Sequence, residues 1–244
     1  MLELWESSKI RRIDGVIIIM GNTYNIFQLK VSSGSIINYC YIVLDRISRK
    51  SAIVDPAWDL DIIEDKLVEL QTIPTHILLT HSHYDHVNLV NPLVERYGSK
   101  VFMSAKEINF YKFDCHNLNE LEDFETISLG NTLIQGILTP GHTAGGMSFL
   151  LSDSLFTGDT LFTEGCGLCD TFGGSPYEMF RSIQKIKKYV KPSVNIFPGH
   201  SYGKQPGLTF GHLLKNNIYC LFKDIDQFVA FRMRKNQKNL FDFQ

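Results

Sequence analysis

The strongest constraint in the sequence is a six-residue stretch, His81-Ser82-His83-Tyr84-Asp85-His86, in which four side chains are of metal-ligating type. Imidazole nitrogen and carboxylate oxygen suit Zn²⁺ and, less selectively, iron or manganese. The stretch follows a short apolar run, His76–Thr80, that reads as a strand. Alternate side chains of a strand share a face, so His81 and His83 can aim the same way at the strand's mouth. A turn through Tyr84 then brings Asp85 and His86 to the same opening. Solvated polar loops rarely hold three histidines, so the chain is expected to present a metal site at a strand end.

The surrounding pattern supplies strands and helices to carry such a site. Tyr24–Val31, Ile36–Leu44 and Ser51–Val54 are rich in β-branched and aromatic residues and read as strands. Further strands are expected at Thr132–Leu138, Met147–Leu151, Ser154–Phe156 and Val194–Phe197. Asp59 is placed to cap a helix with Leu60, Ile63, Leu67 and Leu70 on one face. A second helix is expected over Val87–Tyr97, closed by Gly98, and Ser104-Ala-Lys-Glu107 has capping-box spacing for a third. Ser175-Pro176-Tyr177-Glu178 combines a cap, proline at the first helical position and an acid at the third. Thr209–Phe222 and Asp224–Arg234 read as closing helices. The order is strands, helices, strands, helices, with no linker, which predicts one domain over 20–244. Residues 1–19 are expected to be an N-terminal extension, disordered or an artefact of the start codon.

Composition removes several classes of function. The 24 basic and 26 acidic residues leave a net charge of −2, where a nucleic-acid binder normally shows a basic excess. No run of about 18 apolar residues exists to span a membrane, and Val16–Met20 is too short for a secretory signal core. A cytoplasmic protein with no nucleic-acid or membrane partner is therefore expected. The five cysteines are odd in number and scattered, which suits free thiols in a reducing compartment. Cys166-Gly-Leu-Cys169 is a lone CxxC with no partnering pair, and packing explains it best.

Three later motifs complete the pattern: Thr139-Pro-Gly-His142-Thr143, Thr157-Gly-Asp159-Thr160-Leu161-Phe162 and Phe197-Pro-Gly-His200. With the first stretch they resemble, in order, the HxHxDH and following motifs of the metallo-β-lactamase superfamily. The resemblance covers roughly residues 24–222 and implies an α/β fold, a four-layer αββα sandwich with the metals at one edge between the sheets. It further implies two Zn²⁺ per chain, with iron or manganese as alternatives. His81, His83 and His142 would hold the first, Asp85, His86 and His200 the second, and Asp159 would bridge them. His76, His116 and His212 match none of these positions. In that geometry a hydroxide between the metals attacks a carbonyl carbon, and Asp85 orients it and accepts its proton. The chain has no GxSxG elbow, which disfavours a serine hydrolase.

Details narrow the branch. Asp159 stands where the zinc β-lactamases carry cysteine, which argues against β-lactam cleavage. Gly158-Asp-Thr-Leu-Phe162-Thr-Glu-Gly-Cys166-Gly167 resembles the glyoxalase-II group, whose substrates are thioesters such as S-lactoylglutathione. That group often places a glutathione-gripping lysine where Leu168 stands, and carries a long C-terminal helical region where only 44 residues follow His200. The compact zinc-dependent hydrolases of bacterial polyketide clusters are more similar, through Met20-Gly-Asn-Thr-Tyr and Pro206-Gly-Leu-Thr-Phe-Gly-His-Leu-Leu-Lys-Asn-Asn217. Their resemblance implies hydrolysis of acyl-thioesters on a small thiol or a carrier protein, in antibiotic biosynthesis. Phe162, Leu168, Phe172 and Tyr202 flank the motifs and are candidates to line an acyl pocket. The run Arg232-Met-Arg234-Lys235-Asn-Gln-Lys238 reads first as a solvated basic tail, second as a face for an acidic carrier. The competing activities are a mononuclear-iron persulfide dioxygenase, suggested by Gly165-Cys-Gly-Leu-Cys-Asp170, and a non-catalytic metal or carrier-protein binding module.

Overall fold

Period-two alternation decides where the early strands bury their side chains. In the strand Ile36–Asp45, Tyr39, Tyr41 and Val43 point to one buried face, while Cys40, Ile42 and Leu44 point to the other. A strand buried on both faces belongs in the middle of layers. The computed structural model describes residues 9–13, 16–20, 23–235, 237 and 241–244. Its first half runs β1 (Lys9–Ile13), β2 (Val16–Met20), β3 (Tyr24–Ser33), β4 (Ile36–Asp45), β5 (Ser51–Val54), α1 (Leu60–Glu69), β6 (Pro74–Leu78), α2 (Tyr84–Val87), α3 (Val90–Tyr97), β7 (Lys100–Ser104), α4 (Ala105–Tyr111) and β8 (Leu118–Leu121). The second half runs β9 (Thr126–Leu129), β10 (Thr132–Leu138), β11 (Met147–Leu150), β12 (Ser154–Gly158), α5 (Pro176–Tyr189), β13 (Asn195–Pro198), β14 (Leu208–Thr209), α6 (Phe210–Asn216), α7 (Ile218–Leu221) and α8 (Ile225–Arg232).

Strands β1 to β8 form one sheet in sequence order, and the second sheet has the order β14-β13-β12-β11-β10-β9. The sheets face each other through Tyr24, Tyr41, Phe149, Phe156 and Phe197. Truncating one of these buried phenylalanines to alanine would cost ~3–5 kcal/mol. The outer face of the first sheet packs Ile53 and Ile77 against Ile63 and Leu67 of α1 and Leu93 of α3. The outer face of the second packs Leu155 and Ile196 against Met179, Ile183 and Ile186 of α5 and Phe228 of α8. The architecture is therefore the expected four-layer αββα sandwich. Among the described residues no helix is long and apolar enough to cross a membrane.

Caps read from the sequence hold. Asp59 accepts from Ile62 N–H at 3.1 Å, and Ser175 accepts from Glu178 N–H at 3.3 Å with Pro176 opening α5. Two single helices of the sequence reading are each divided. Val87–Tyr97 breaks because α2 ends at Val87 and the chain turns through Asn88 and Leu89 before α3. Thr209–Phe222 breaks at Asn217, a buried residue whose amide donates to the carbonyls of Phe162 and Gly165, both at 2.9 Å. Its carboxamide oxygen accepts from Tyr219 N–H and restarts the helix as α7. The N-terminal segment includes β1 and β2, a hairpin that pairs with β3 through Ile18↔Phe27, while residues 1–8, 14 and 15 lie outside the described set. Arg232, expected on a solvated tail, instead ends α8 and is 3% exposed. Lys238 lies outside the described residues.

Candidate metal centre

Strand direction gathers the ligand-type residues at one edge. β10 and β12 both run antiparallel to β11, and β12 runs parallel to β13, so all three end at the same side of their sheet. His142, Asp159 and His200 follow those three ends. In the other sheet β5, β6 and β7 are parallel, and Asp55 and the His81–His86 stretch follow two of their ends. The loops that meet there need glycine. A Cβ on Gly199 would sit 2.6 Å from the His86 ring and 2.7 Å from an Asp159 oxygen, so only glycine lets this backbone pass. Gly158 is left-handed, at φ +47°, and a Cβ there would strike Thr80 Oγ1 at 2.2 Å.

Two clusters result. Nitrogens of His81, His83 and His142 lie within 4.8 Å of one another, as do ligand atoms of Asp85, His86 and His200. Asp159 stands between them: Oδ2 is 3.4 Å from His142 Nε2 and 3.5 Å from His200 Nε2, and Oδ1 is 3.5 Å from His86 Nε2. All seven residues picked out in the sequence are thus brought together. His76 is elsewhere, stacked on Phe102, and burial pushes it down to about 4.

Three imidazoles are oriented by what their Nδ1 atoms touch. His142 Nδ1 lies 2.7 Å from Leu168 O and His200 Nδ1 lies 2.6 Å from Ile37 O. A carbonyl can only accept, so each Nδ1 carries the proton and each Nε2 turns a lone pair to the centre. His86 Nδ1 faces the Asp55 carboxylate at 3.1 Å in the same way. Burial and the neighbouring imidazoles hold His81 well below its ordinary range, and burial takes His142 down to about 4. Burial also lowers His83, leaving these three neutral, the form that binds metal. His86 is the opposite case: burial would depress it, but Asp85, Asp159 and Asp55 raise it to about 10. Burial would raise the Asp85 carboxyl, yet His86, His200 and Asn38 hold it well below the usual carboxylate range.

The residues fit a cation. His81 Nε2 and Asp159 Oδ1 are buried without a hydrogen-bond partner, a costly arrangement that a metal ion would relieve. Nitrogen and carboxylate donors of this kind suit zinc.

Four supporting residues escaped the sequence reading as parts of the site. Asp55 also lies near His81 and His86, but it accepts from Thr80 N–H at 2.8 Å, Thr80 Oγ1 at 2.6 Å and His86, so it positions rather than ligates. Asn38 donates to the Asp85 carbonyl at 2.9 Å and to Asp85 Oδ2 at 3.1 Å. Trp58 Nε1–H donates to Asn38 Oδ1 at 2.6 Å, which fixes the amide's NH₂ toward Asp85. Glu107, read from sequence only as half of a capping box, is fully buried. Its carboxylate accepts from Ser82 N–H at 2.9 Å and Gly145 N–H at 2.9 Å, tying the His81–His86 loop to the His142 loop.

A cavity of about 320 Å³ opens above the clusters, with Trp58, Phe162, Leu168, Tyr202 and Phe243 among its walls. Of the four candidate pocket residues, Phe162, Leu168 and Tyr202 line this cavity and Phe172 lies apart from it. Tyr111 Oη donates to the Phe172 carbonyl at 2.7 Å, and the ring is 77% exposed against Phe110. Phe243 stacks on His200 with ring centroids 4.1 Å apart. Cys166 and Cys169 are buried free thiols, and burial pushes Cys169 up to about 11.

Residues 35–200 match the family model of the metallo-beta-lactamase superfamily. The chain belongs to that superfamily. Within it, the chain is 56% identical over 226 residues, 92% of its length and all of the relative's, to the Probable polyketide biosynthesis zinc-dependent hydrolase BaeB of Bacillus velezensis. It is 33% identical to the hydroxyacylglutathione hydrolase of Pelagibacter ubique, over 78% of this chain and 73% of that one. The crystal structure of ETHE1 from Myxococcus xanthus superposes with a TM-score of 0.77 at 26% identity, covering 88% of this chain and 92% of the other.

Proposed function

We propose that this chain is a zinc-dependent hydrolase of acyl-thioesters, carried on a small thiol or a carrier protein, in polyketide biosynthesis. One observation supports it above the others: two ligand clusters share Asp159 on the floor of a largely apolar-walled cavity. His81, His83 and His142 would hold one ion, Asp85, His86 and His200 a second, with Asp159 facing both. Bound zinc would supply Lewis acidity toward the thioester oxygen and lower the pKa of a water. The ionised Asp85 carboxylate, locked by Asn38 and Trp58, orients the attacking water and accepts its proton. Trp58, Phe162, Leu168 and Phe243 exclude bulk water and receive the acyl chain. The similarity to BaeB supports the pathway, and the similarity to hydroxyacylglutathione hydrolases supports a thioester as the scissile bond.

The test is a panel of acyl-thioesters on coenzyme A, N-acetylcysteamine, glutathione and a carrier protein, with metal quantified in the same preparation. Turnover with two zinc ions per chain is expected. One iron per chain with oxygen uptake on a persulfide would overturn the reading in favour of a dioxygenase. A fully metallated protein that cleaves no thioester would reduce it to a binding module.

A further inference from the structure

A second cavity of about 350 Å³ adjoins the metal-site cavity, and Tyr202 lines both. Its chemistry differs from the first. Arg232 and Arg234 stand on its wall. Arg232 is 3% exposed, and a guanidinium stays charged at any ordinary pH. Its partners among the described residues are neutral: Nε donates to Gly167 O at 2.9 Å, Nη1 donates to Gln237 Oε1 at 2.9 Å, and the Tyr219 ring lies beneath it. The nearby Cys166 and Cys169 thiols are kept protonated by burial. Arg234 likewise donates to the Phe231 carbonyl at 2.6 Å and reaches Tyr219 Oη at 3.5 Å, with no carboxylate partner among the described residues. Two acids also touch the cavity. Glu164 is engaged by Lys204, whose backbone N–H donates to it at 3.2 Å, and Asp242 is solvent-exposed. A buried cation without an anion is unfavourable, and its natural complement is a ligand's negative charge.

The placement says which part of a substrate would bring that charge. Arg232 grips Gly167, whose N–H donates to Asp159 O at 2.9 Å, and the next residue, Leu168, holds His142. The arginine cavity therefore lies directly behind the loop that separates it from the metal ligands. Tyr202, which lines both cavities, marks the place where the thiol arm of an acyl group seated in the apolar cavity would enter the polar one. We propose that the Arg232–Arg234 cavity binds the phosphate of a phosphopantetheine arm. The planar forks of two arginines suit the oxygens of a phosphate. This assignment rests on the thioesterase reading and names the arm on which its substrates are carried.

The test compares acyl-pantetheine with the matched acyl-4′-phosphopantetheine on the zinc-loaded enzyme. The phosphate is expected to raise kcat/KM about tenfold, through KM, the size of one charge-assisted hydrogen bond. In Arg234→Gln, at an exposed position where folding is safe, the ratio should fall toward one. Arg232→Lys, which keeps charge and loses the fork, should keep part of it. Equal kcat/KM for the pair in the wild type, or a preference that survives Arg234→Gln, would overturn the proposal. A glutathione thioester favoured over the phosphopantetheine one would overturn it too, by assigning the cavity to a carboxylate. If no thioester is cleaved, the activity fails separately. Displacement of a fluorescently labelled 4′-phosphopantetheine by phosphopantetheine but not by pantetheine, lost in Arg234→Gln, would then still support the phosphate site, and no such displacement would overturn it.

Discussion

The two ligand clusters differ more than their adjacency suggests. His81, His83 and His142 form an all-imidazole set that burial keeps neutral. Asp85, His86 and His200 include an ionised carboxylate and a histidine that three carboxylates hold protonated up to about 10 in the metal-free protein. The first set is ready for a cation as it stands; the second must give up a proton. The lesson is that one Asp159 serves two neighbours with opposite electrostatics, and that loading and catalysis should divide between them.

The largest effect should come from the second set. Asp85→Asn is expected to lower kcat by about 10²–10⁴-fold while thermal unfolding stays near the wild-type temperature, because it removes the proposed proton acceptor and keeps the shape. Normal turnover in that variant would remove the division of labour. Next comes Asp55→Asn, which weakens the direct partner of His86 Nδ1 and reaches His81 only indirectly, through Thr80. It should cut affinity for one of two zinc ions by about 10–100-fold and leave the other within a fewfold, as read by competition with a chelator. Equal weakening of both ions would show the clusters to be one unit. Trp58→Phe keeps the pocket wall but frees the Asn38 amide to rotate. A loss of about fivefold in kcat with KM unchanged is expected, corresponding to a net hydrogen bond of ~1 kcal/mol. The smallest signal is a proton count. At pH 8, below the raised value of His86, titrating zinc into metal-free protein should release about one proton more with one equivalent than with the other, beyond any proton lost from a zinc-bound water, measured by calorimetry in two buffers.

Much of the site was legible because its chemistry is written in residue type. Histidines at 81, 83, 86, 142 and 200 have few other reasons to fall after strands and Pro-Gly turns. The supporting residues were not legible, for a different reason. Asn38 reaches Asp85 across 47 positions and Glu107 reaches Gly145 across 38, and neither residue type is rare enough to announce itself. The fold shows the same divide. Strong local signals, such as Ser175-Pro176-Tyr177-Glu178, gave the right helix start. The break at Asn217 is not legible because the apolar pattern is helical on both sides of it, and it is set by a loop more than 50 positions earlier. Arg232 follows the same rule: a charge run reads as solvated from sequence alone, whereas this guanidinium is buried against a cavity wall.

The stacking of Phe243 on His200 has a spectroscopic consequence. The rings are stacked nearly parallel, 17° apart, and their centroids are separated by 4.1 Å. The ring current of Phe243 should therefore shield the carbon-bound protons of His200 and move their NMR signals upfield of the other histidines at the site. The shielding vanishes if the aromatic ring swings aside to admit an acyl chain. His200 would then report cavity opening directly, without any turnover.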